Sequence, residues 1–324
     1  MLDLNTNSPQ NREIALTGAT GFIGAMILSQ LIKAGWQVRA LYRNKKGRKP
    51  QVISGVTWIA GDLNDNHALT SLVKDTFAVI HCAGVVRGAS QEDFNSVNEQ
   101  GTYQIAKVAS SQPNSPRFLL LSSLAAREPN LSHYSASKWR GERVIKNIAG
   151  SLRWTVIRPP AVYGPGDREL LPLFQSIANG IAPIPAGANG RFSMIYVEDL
   201  ASAIVSWLNT DSCHGQTLEL DDQTLGGYNW DTVLAIGGKV LRNGSRVRRL
   251  PIPISVLKLI ASVNLVASKI LRYSPMLTPG KIREIIHADW VCNDNNFERL
   301  ADWQPVFDLE RGLETMFKHK IAEK

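Results

Sequence analysis

The chain has 324 residues, 44% of them hydrophobic and 20% charged, with a net charge of +8. These proportions belong to an ordinary globular protein long enough for about two domains, and they exclude a disordered or fibrous chain. The positive balance fits an anionic cofactor or an acidic lipid surface; with no Lys/Arg-rich block interleaved with aromatics, no nucleic-acid partner is expected. Cys82, Cys213 and Cys292 stand far apart, without CxxC or metal-ligand spacing, which predicts a reducing compartment and no metal site. Met1–Asn11 is polar and does not read as a secretory signal. No uncharged apolar run reaches the roughly 20 residues that span a bilayer. A cytoplasmic protein is the expectation.

In chain order, the apolar run Ile14–Leu16 predicts a strand, and Ala25–Ala34 carries apolar residues at helical spacing. Between them lies Thr17-Gly-Ala-Thr-Gly-Phe-Ile-Gly24. Gly18 permits a tight turn, Gly21 lets the backbone approach a phosphate, and Gly24 lets the helix pack on the strand. The free amides and dipole of the helix start favour a pyrophosphate, so a dinucleotide is the expected cofactor. Gln37–Tyr42 is a second strand, ending at Arg43 and followed by Lys45, Lys46 and Arg48. An acid at that point would grip the ribose 2′-hydroxyl of NAD. Arg43 favours NADP(H), with NAD(H) as the alternative; the other reading is a solvated basic loop.

Val56–Ala60 is a third strand, followed by Gly61-Asp62-Leu63, where Asp62 suits the adenine amino group or the N-cap of a helix around His67–Lys74. Ala78–Cys82 is a fourth strand, and Ala83-Gly84-Val85 turns beneath the cofactor. Phe94–Ser110 reads as one helix, Phe118–Leu121 and Trp154–Ile157 as further strands. Strands alternating with helices predict an α/β fold: a Rossmann-type, doubly wound parallel sheet over about residues 12–165, rejoined by residues 193–210, with a smaller C-terminal substrate-binding region over 166–324. Within that region Leu170–Asn179, Glu198–Asn209 and Gly280–Asp289 are expected helices, and Ser193–Val197, Thr217–Leu220 and Arg246–Leu250 expected strands.

Tyr134 and Lys138 stand four apart on an expected helix and so share a face. A nearby ammonium stabilises a phenolate, which would bring the tyrosine into range for proton exchange with a carbonyl or alcohol oxygen. Ser123, at a strand end upstream, is placed to hold that oxygen.

With these stretches the chain resembles the extended short-chain dehydrogenase/reductase family, also described as NAD-dependent epimerase/dehydratase. The resemblance runs from about residue 12 to 317, through TGATGFIG at 17–24, GDL at 61–63, CAG at 82–84, NEQGT at 98–102, SS at 122–123, YSASK at 134–138, RPPAVYGPGD at 158–167 and YVEDLA at 196–201. It implies that Ser123, Tyr134 and Lys138 are catalytic, that Lys138 also holds the nicotinamide ribose, and that Asn98 supports the site. The cofactor contacts it implies are Gly18, Thr20, Gly21, Phe22, Ile23, Gly24, Arg43, Asp62, Leu63, Ala83, Gly84, Tyr134, Lys138 and Pro159.

Departures from the family pattern narrow the chemistry. Leu124-Ala125-Ala126 follows Ser123 where dehydratases carry an acid, and Ala161 stands where nucleotide-sugar epimerases carry an Asn. The pattern is closer to the ketone-reductase and hydroxysteroid-dehydrogenase branches, with a hydrophobic, lipid-type or acyl-carrier-linked small molecule as substrate. The alternatives are a nucleotide-sugar enzyme using Arg191 on a diphosphate, and a non-catalytic nucleotide-binding assembly protein. Arg87, Arg127 and His133 are candidate substrate contacts or surface residues.

Pro251–Arg272 is an amphipathic segment whose Ser255, Lys258, Ser262, Lys269 and Arg272 form a narrow polar stripe on an otherwise largely apolar helix. It suits interior packing in the substrate region, a homodimer contact, or peripheral contact with the inner face of a membrane.

Overall fold

The computed structural model describes residues 12–44, 47, 49–148, 152–293 and 296–321; Met1–Asn11, Lys45, Lys46 and Arg48 lie outside them. The chain opens with β1 (Glu13–Thr17), α1 (Phe22–Lys33), β2 (Gln37–Tyr42), β3 (Val56–Ala60), α2 (Asn66–Val73) and β4 (Ala78–His81). It continues through α3 (Gln91–Asn95), α4 (Thr102–Ser110), β5 (Arg117–Leu121), α5 (His133–Ile148) and β6 (Trp154–Arg158). These strands and β11 (Gln216–Glu219) form a seven-stranded parallel sheet in the order β11-β6-β5-β4-β1-β2-β3. Helices cover both faces, which is why β4 and β5 are buried throughout. The order reverses between β1 and β4, and the crevice at that switch point is where doubly wound sheets take their ligands.

The rest of the chain holds β7 (Ala161–Tyr163), α6 (Leu171–Ala178), β8 (Ile181–Pro185), β9 (Arg191–Phe192), β10 (Met194–Tyr196) and α7 (Val197–Trp207) ahead of β11. After it come α8 (Trp230–Leu241), β12 (Arg248–Ile252), α9 (Ile254–Leu271), α10 (Pro279–Ile286), β13 (Asp289–Trp290), α11 (Asn296–Ala301) and α12 (Leu309–Ile321). Residues beyond 165 serve two cores. Leu200, Ile204 and Trp207 of α7 and Phe297 of α11 pack against α1 and the sheet. Tyr163, Phe174, Tyr196, Val233, Leu313 and Phe317 form a separate core beyond the sheet's carboxyl edge.

Three expectations change. The single helix over Phe94–Ser110 is interrupted by a π-helical turn at Ser96–Gly101, and the helical run begins earlier, at Gln91. The wide turn carries Asn98 inward against the loop after β4. Gly280–Asp289 is helical only to Ile286, because His287 turns extended and Asp289–Trp290 pairs with Arg191–Phe192. Asp65, not Asp62, caps α2, accepting from the Ala68 amide at 3.0 Å. Helix α8, absent from the expected elements, holds Gly237 and Gly238 in its interior. There the missing side chain is what lets α8 lie on α6, since a Cβ at Gly237 would come within 2.5 Å of Ile177.

Segment Pro251–Arg272 splits at Pro253 into the end of β12 and helix α9. Interior packing is overturned. Leu259, Val263, Ile270 and Leu271 are 60–73% exposed, and the fully buried positions are the small residues Ala261 and Ser268. Seven of the large apolar side chains of α9 face outward.

The turn from β1 into α1 is the tightest point of the sheet layer. Gly18 sits at φ +76°, and a Cβ at Gly24 would fall 2.1 Å from the Gly18 carbonyl oxygen. Gly24→Ala is expected to force α1 off β1 and lower the free energy of unfolding by about 1–3 kcal/mol, the usual cost of overpacking. Urea denaturation followed by circular dichroism measures this; an unchanged midpoint would show that the helix shifts without strain.

Candidate active site

The turn Thr17–Gly24 sets the floor of the crevice. Gly21 precedes α1 without a side-chain cap, so the amides of Phe22, Ile23 and Gly24 are left for a ligand, and Thr20 lies in the same turn. Gly18 packs its backbone on Cys82 and Ala83: a Cβ there would meet the Ala83 nitrogen at 2.7 Å. A cradle closed to side chains but open to a pyrophosphate fits a dinucleotide. Arg43 is exposed just past β2, and Asp62 is exposed just past β3, its Oδ1 accepting from the Asn64 amide at 2.8 Å. Leu63 lies against Gly101, and Pro159 closes the far side by accepting from the Leu124 amide at 2.9 Å. Apart from Tyr134 and Lys138 on α5, the sequence-derived cofactor positions thus lie at the strands' carboxyl edge, on the turns and the first helical turn that follow.

A buried polar relay fixes the loop over Ala83–Val85. Thr102 Oγ1 donates to the Asn98 carbonyl at 2.8 Å. That hydroxyl therefore accepts from His81 Nε2–H (3.1 Å), and Nδ1 of His81 accepts from Thr17 Oγ1 (2.7 Å), which in turn accepts from the Ala83 amide (3.1 Å). Burial, reinforced by the charge of Lys138, pushes the His81 pKa down to about 3, so the ring stays neutral. The Asn98 side chain completes the brace. It accepts from the Val85 amide and donates to the Val85 carbonyl and to Ser137 Oγ, at 2.9, 3.0 and 2.9 Å. Thr17 and Thr102 belong to the TGATGFIG and NEQGT stretches, but nothing in the sequence joins them through His81, since the three are spread over β1, β4 and α4.

Ser123, Tyr134 and Lys138 come together at the carboxyl end of β5. Ser123 caps the short 3₁₀ turn Leu124–Arg127, accepting from the Ala125 amide, and is hydrogen-bonded to the Tyr134 hydroxyl. Lys138, one turn further along α5, donates from Nζ to the Leu121 carbonyl at 2.8 Å and lies beside Gly84. Burial lowers its pKa to about 8, with Cys82 and Glu142 acting the other way.

Tyr134 departs from expectation. Burial raises its pKa; the hydrogen bond with Ser123 and then the ammonium of Lys281 pull it down, while Glu284 raises it further. Lys138 is not among the groups that move it. The phenol is therefore held in its protonated, donating form at neutral pH.

Lys281 is the residue that sequence reasoning missed. It comes from α10, far along the chain, and lies 5.9 Å from the Tyr134 ring centre. Burial disfavours its charge, but the Glu284 carboxylate at 2.8 Å outweighs that and raises its pKa. Glu284, itself buried, accepts from Ser132 and Ser135 at the start of α5. No motif announces this pair. Glu142 had a readable signal, four residues past Lys138. It accepts from Ser122 at 2.5 Å and takes both prongs of the Arg158 guanidinium at 2.8 and 2.7 Å. Such a buried, fully bonded pair costs about 3–5 kcal/mol to break from one side.

A cavity of about 710 Å³ opens onto Ser123 and Tyr134. Its wall includes Leu124 and Ala125, which follow Ser123, and Ala161, together with Phe94, Leu173, Phe192 and Trp230. His133 lines it too. Arg127 does not act there. Its guanidinium donates to the carbonyls of Val291 and Asp289 at 2.9 and 2.7 Å, tying β13 to the strand layer. Arg87 pairs with Glu169 at 2.7 Å. Arg191 donates to the backbone carbonyls of Gly226 and Gly227, which takes two of its five N–H groups. Among the described residues no cluster of His, Cys, Asp or Glu could hold a metal ion.

Comparison with known proteins agrees with this geometry. The family model "NAD dependent epimerase/dehydratase family" matches residues 14–219. Ceramide reductase of Caulobacter vibrioides is 36% identical over 277 residues, covering 86% of this chain and 85% of that protein. The decarboxylating sterol-4-alpha-carboxylate 3-dehydrogenase of Candida albicans is 24% identical over 343 residues, covering 93% and 95%. Among solved structures, UDP-glucuronic acid 4-epimerase from Bacillus cereus, in complex with NAD, superposes with a TM-score of 0.73 at 17% identity, covering 96% of this chain and all of that one. At that identity the likeness is one of fold. The family match and the 36% relative carry the assignment: this chain belongs to the NAD-dependent epimerase/dehydratase family, the extended short-chain dehydrogenases/reductases, and is an NAD(P)-dependent oxidoreductase.

Proposed function

We propose that this enzyme uses NADP(H) to interconvert a ketone and a secondary alcohol on a hydrophobic, lipid-type substrate. The observation that carries the reading is the large apolar cavity ending at Ser123 and Tyr134, with alanines at positions 125 and 161. Two relatives act, by their names, on ceramide and on a sterol carboxylate. Each methylene buried in such a cavity contributes about 0.8 kcal/mol, so a long chain binds tightly without a charged anchor. An acyl chain borne by a carrier protein would bind through the same chemistry.

The glycine turn, Asp62, Ala83–Gly84 and Lys138 would hold the cofactor, and Arg43 would take the 2′-phosphate of NADP(H). Bound there, the nicotinamide supplies the hydride to the carbonyl carbon, or accepts it in the reverse direction. The chain's own residues do the rest. Ser123 holds the substrate oxygen by a hydrogen bond. Tyr134, kept protonated by burial, gives that oxygen its proton in the reducing direction. Lys281 stabilises the phenolate left behind. The apolar wall excludes water from the carbonyl.

Tyr134→Phe is expected to lower kcat by about 10²–10⁴-fold, the usual range for a lost general acid, while NADPH binding by fluorescence is nearly unchanged. Undiminished turnover would reject Tyr134 as the acid. Wild type is expected to bind NADPH more tightly than NADH, and Arg43→Asp to weaken NADPH by about 10- to 100-fold, as for a lost hydrogen bond to a charged group. Equal or tighter binding of NADH by wild type would remove the case for NADP(H). In a turnover screen with NADPH, long-chain 3-oxo-acyl and sphingoid-type ketones are expected to react and UDP- and GDP-sugars to fail. Turnover confined to the sugars would replace the lipid reading with a nucleotide-sugar one.

A further inference from the structure

Helix α9 is packed inside out. At about 100° per residue, Val256, Leu259, Ile260, Val263, Val266, Ile270 and Leu271 occupy an exposed arc of about 140°, and all seven are at least 43% exposed. The face turned toward the body carries Leu257, Ala261, Asn264, Leu265 and Ser268. Ser255, Lys258, Ser262 and Lys269 border the apolar arc along one edge. The helix is 18 residues long with a mean hydropathy of 1.7, enough by length and composition to cross a bilayer.

It cannot cross one in this fold, because both ends and the middle are tied to the same body. Its N-terminal end continues directly from β12, which pairs with β8. Its middle is held by Asn264, whose Nδ2 donates to the Leu277 carbonyl at 2.9 Å. Just past its C-terminal end, the Pro275 carbonyl accepts from the Gly88 amide. A helix fastened this way presents its length, not its tip, to whatever covers it.

Charge selects what that is. From Arg242 to Arg283 the chain holds nine Lys or Arg and not one Asp or Glu. Among the described residues no acid pairs with Lys258, Lys269 or Arg272. The cavity that reaches Ser123 and Tyr134 also touches Leu257 and Leu265 on the inner face of α9.

We propose that α9 lies flat in the interface of an anionic lipid bilayer, its exposed arc among the upper acyl chains and its lysine stripe among the headgroups. The helix then forms the wall between the bilayer and the cavity. This docking surface stands whichever ketone is the substrate, and its test reads binding, not turnover.

The test is flotation of the full chain with vesicles of phosphatidylcholine containing about a quarter phosphatidylglycerol, against phosphatidylcholine alone. Wild type is expected to float with the anionic vesicles, to float less with the neutral ones, and to be released by an alkaline carbonate wash. The triple variant Leu259→Ser, Val263→Ser, Ile270→Ser is expected to lose at least about tenfold in partitioning, with a thermal melt like wild type since all three side chains are exposed. A second variant, Lys258→Glu with Lys269→Glu, keeps the apolar arc and is expected to lose the preference for anionic vesicles. Absence of flotation by wild type, or binding unaffected by both variants, would overturn the proposal. So would resistance to the carbonate wash, which signifies a spanning helix. A dimer in light scattering that the triple variant dissociates, without flotation by wild type, would assign the face to a second copy of the chain and equally overturn it.

Discussion

Everything at the carboxyl edge of the sheet depends on how closely three pieces of backbone can approach one another. The Gly18 carbonyl sits where a Cβ on Gly24 would be, and the Gly18 α-carbon abuts Cys82 and Ala83. That contact brings the start of α1 and the loop after β4 to the two sides of one crevice. The loop then reaches the π turn through the Asn98 side chain, and the π turn reaches α5, where a Cβ on Gly141 would strike the Asn98 carbonyl at 2.4 Å. Lys138 and Tyr134 ride on α5. The crevice floor and the Tyr134–Lys138 helix are thus placed by one chain of contacts, close backbone approaches at either end and the Asn98 side chain between them, and slack at the first would be felt at the last.

The second layer of control comes from the other side of the cavity. Lys281 and Glu284 reach the Tyr134 neighbourhood from α10, and Arg127 reaches out from the strand layer to hold β13 beside it. Lys281 approaches the phenol from the opposing helix, while Lys138 on the phenol's own helix donates to the Leu121 carbonyl. Burial sets the direction of the phenol's pKa, and the opposing helix sets part of the counterweight. The C-terminal part of the chain is therefore also part of the electrostatic environment of Tyr134.

The sheet, its glycine turn and the Ser123–Tyr134–Lys138 grouping were legible because their signals are local. A strand of buried aliphatics, three glycines at fixed spacing, and Tyr and Lys four apart are readable within a dozen residues. What could not be read depends on distance or on compensation. His81, Thr17 and Thr102 form one relay from three separate segments, and Lys281 faces Tyr134 from nearly 150 residues away. Gly237 and Gly238 lie inside α8, where Ile177 fills the space that the first of them leaves. The apolar pattern of α9 was visible, but a periodic pattern states which side chains share a face and not which way that face points. Only the small residues Ala261 and Ser268, buried where large ones would be expected, reveal the inversion.

The relay through His81 has a consequence for the nature of this site. Each member donates in a single sense, from the Ala83 amide through Thr17, the ring and Thr102 to the Asn98 carbonyl, and every proton along it is already committed. With its ring titrating only near 3, the histidine keeps one tautomer across the whole range in which cells live. It serves as a rigid spacer of fixed polarity, and an imidazole at the centre of the cofactor floor contributes no acid–base sensitivity to the loop it supports.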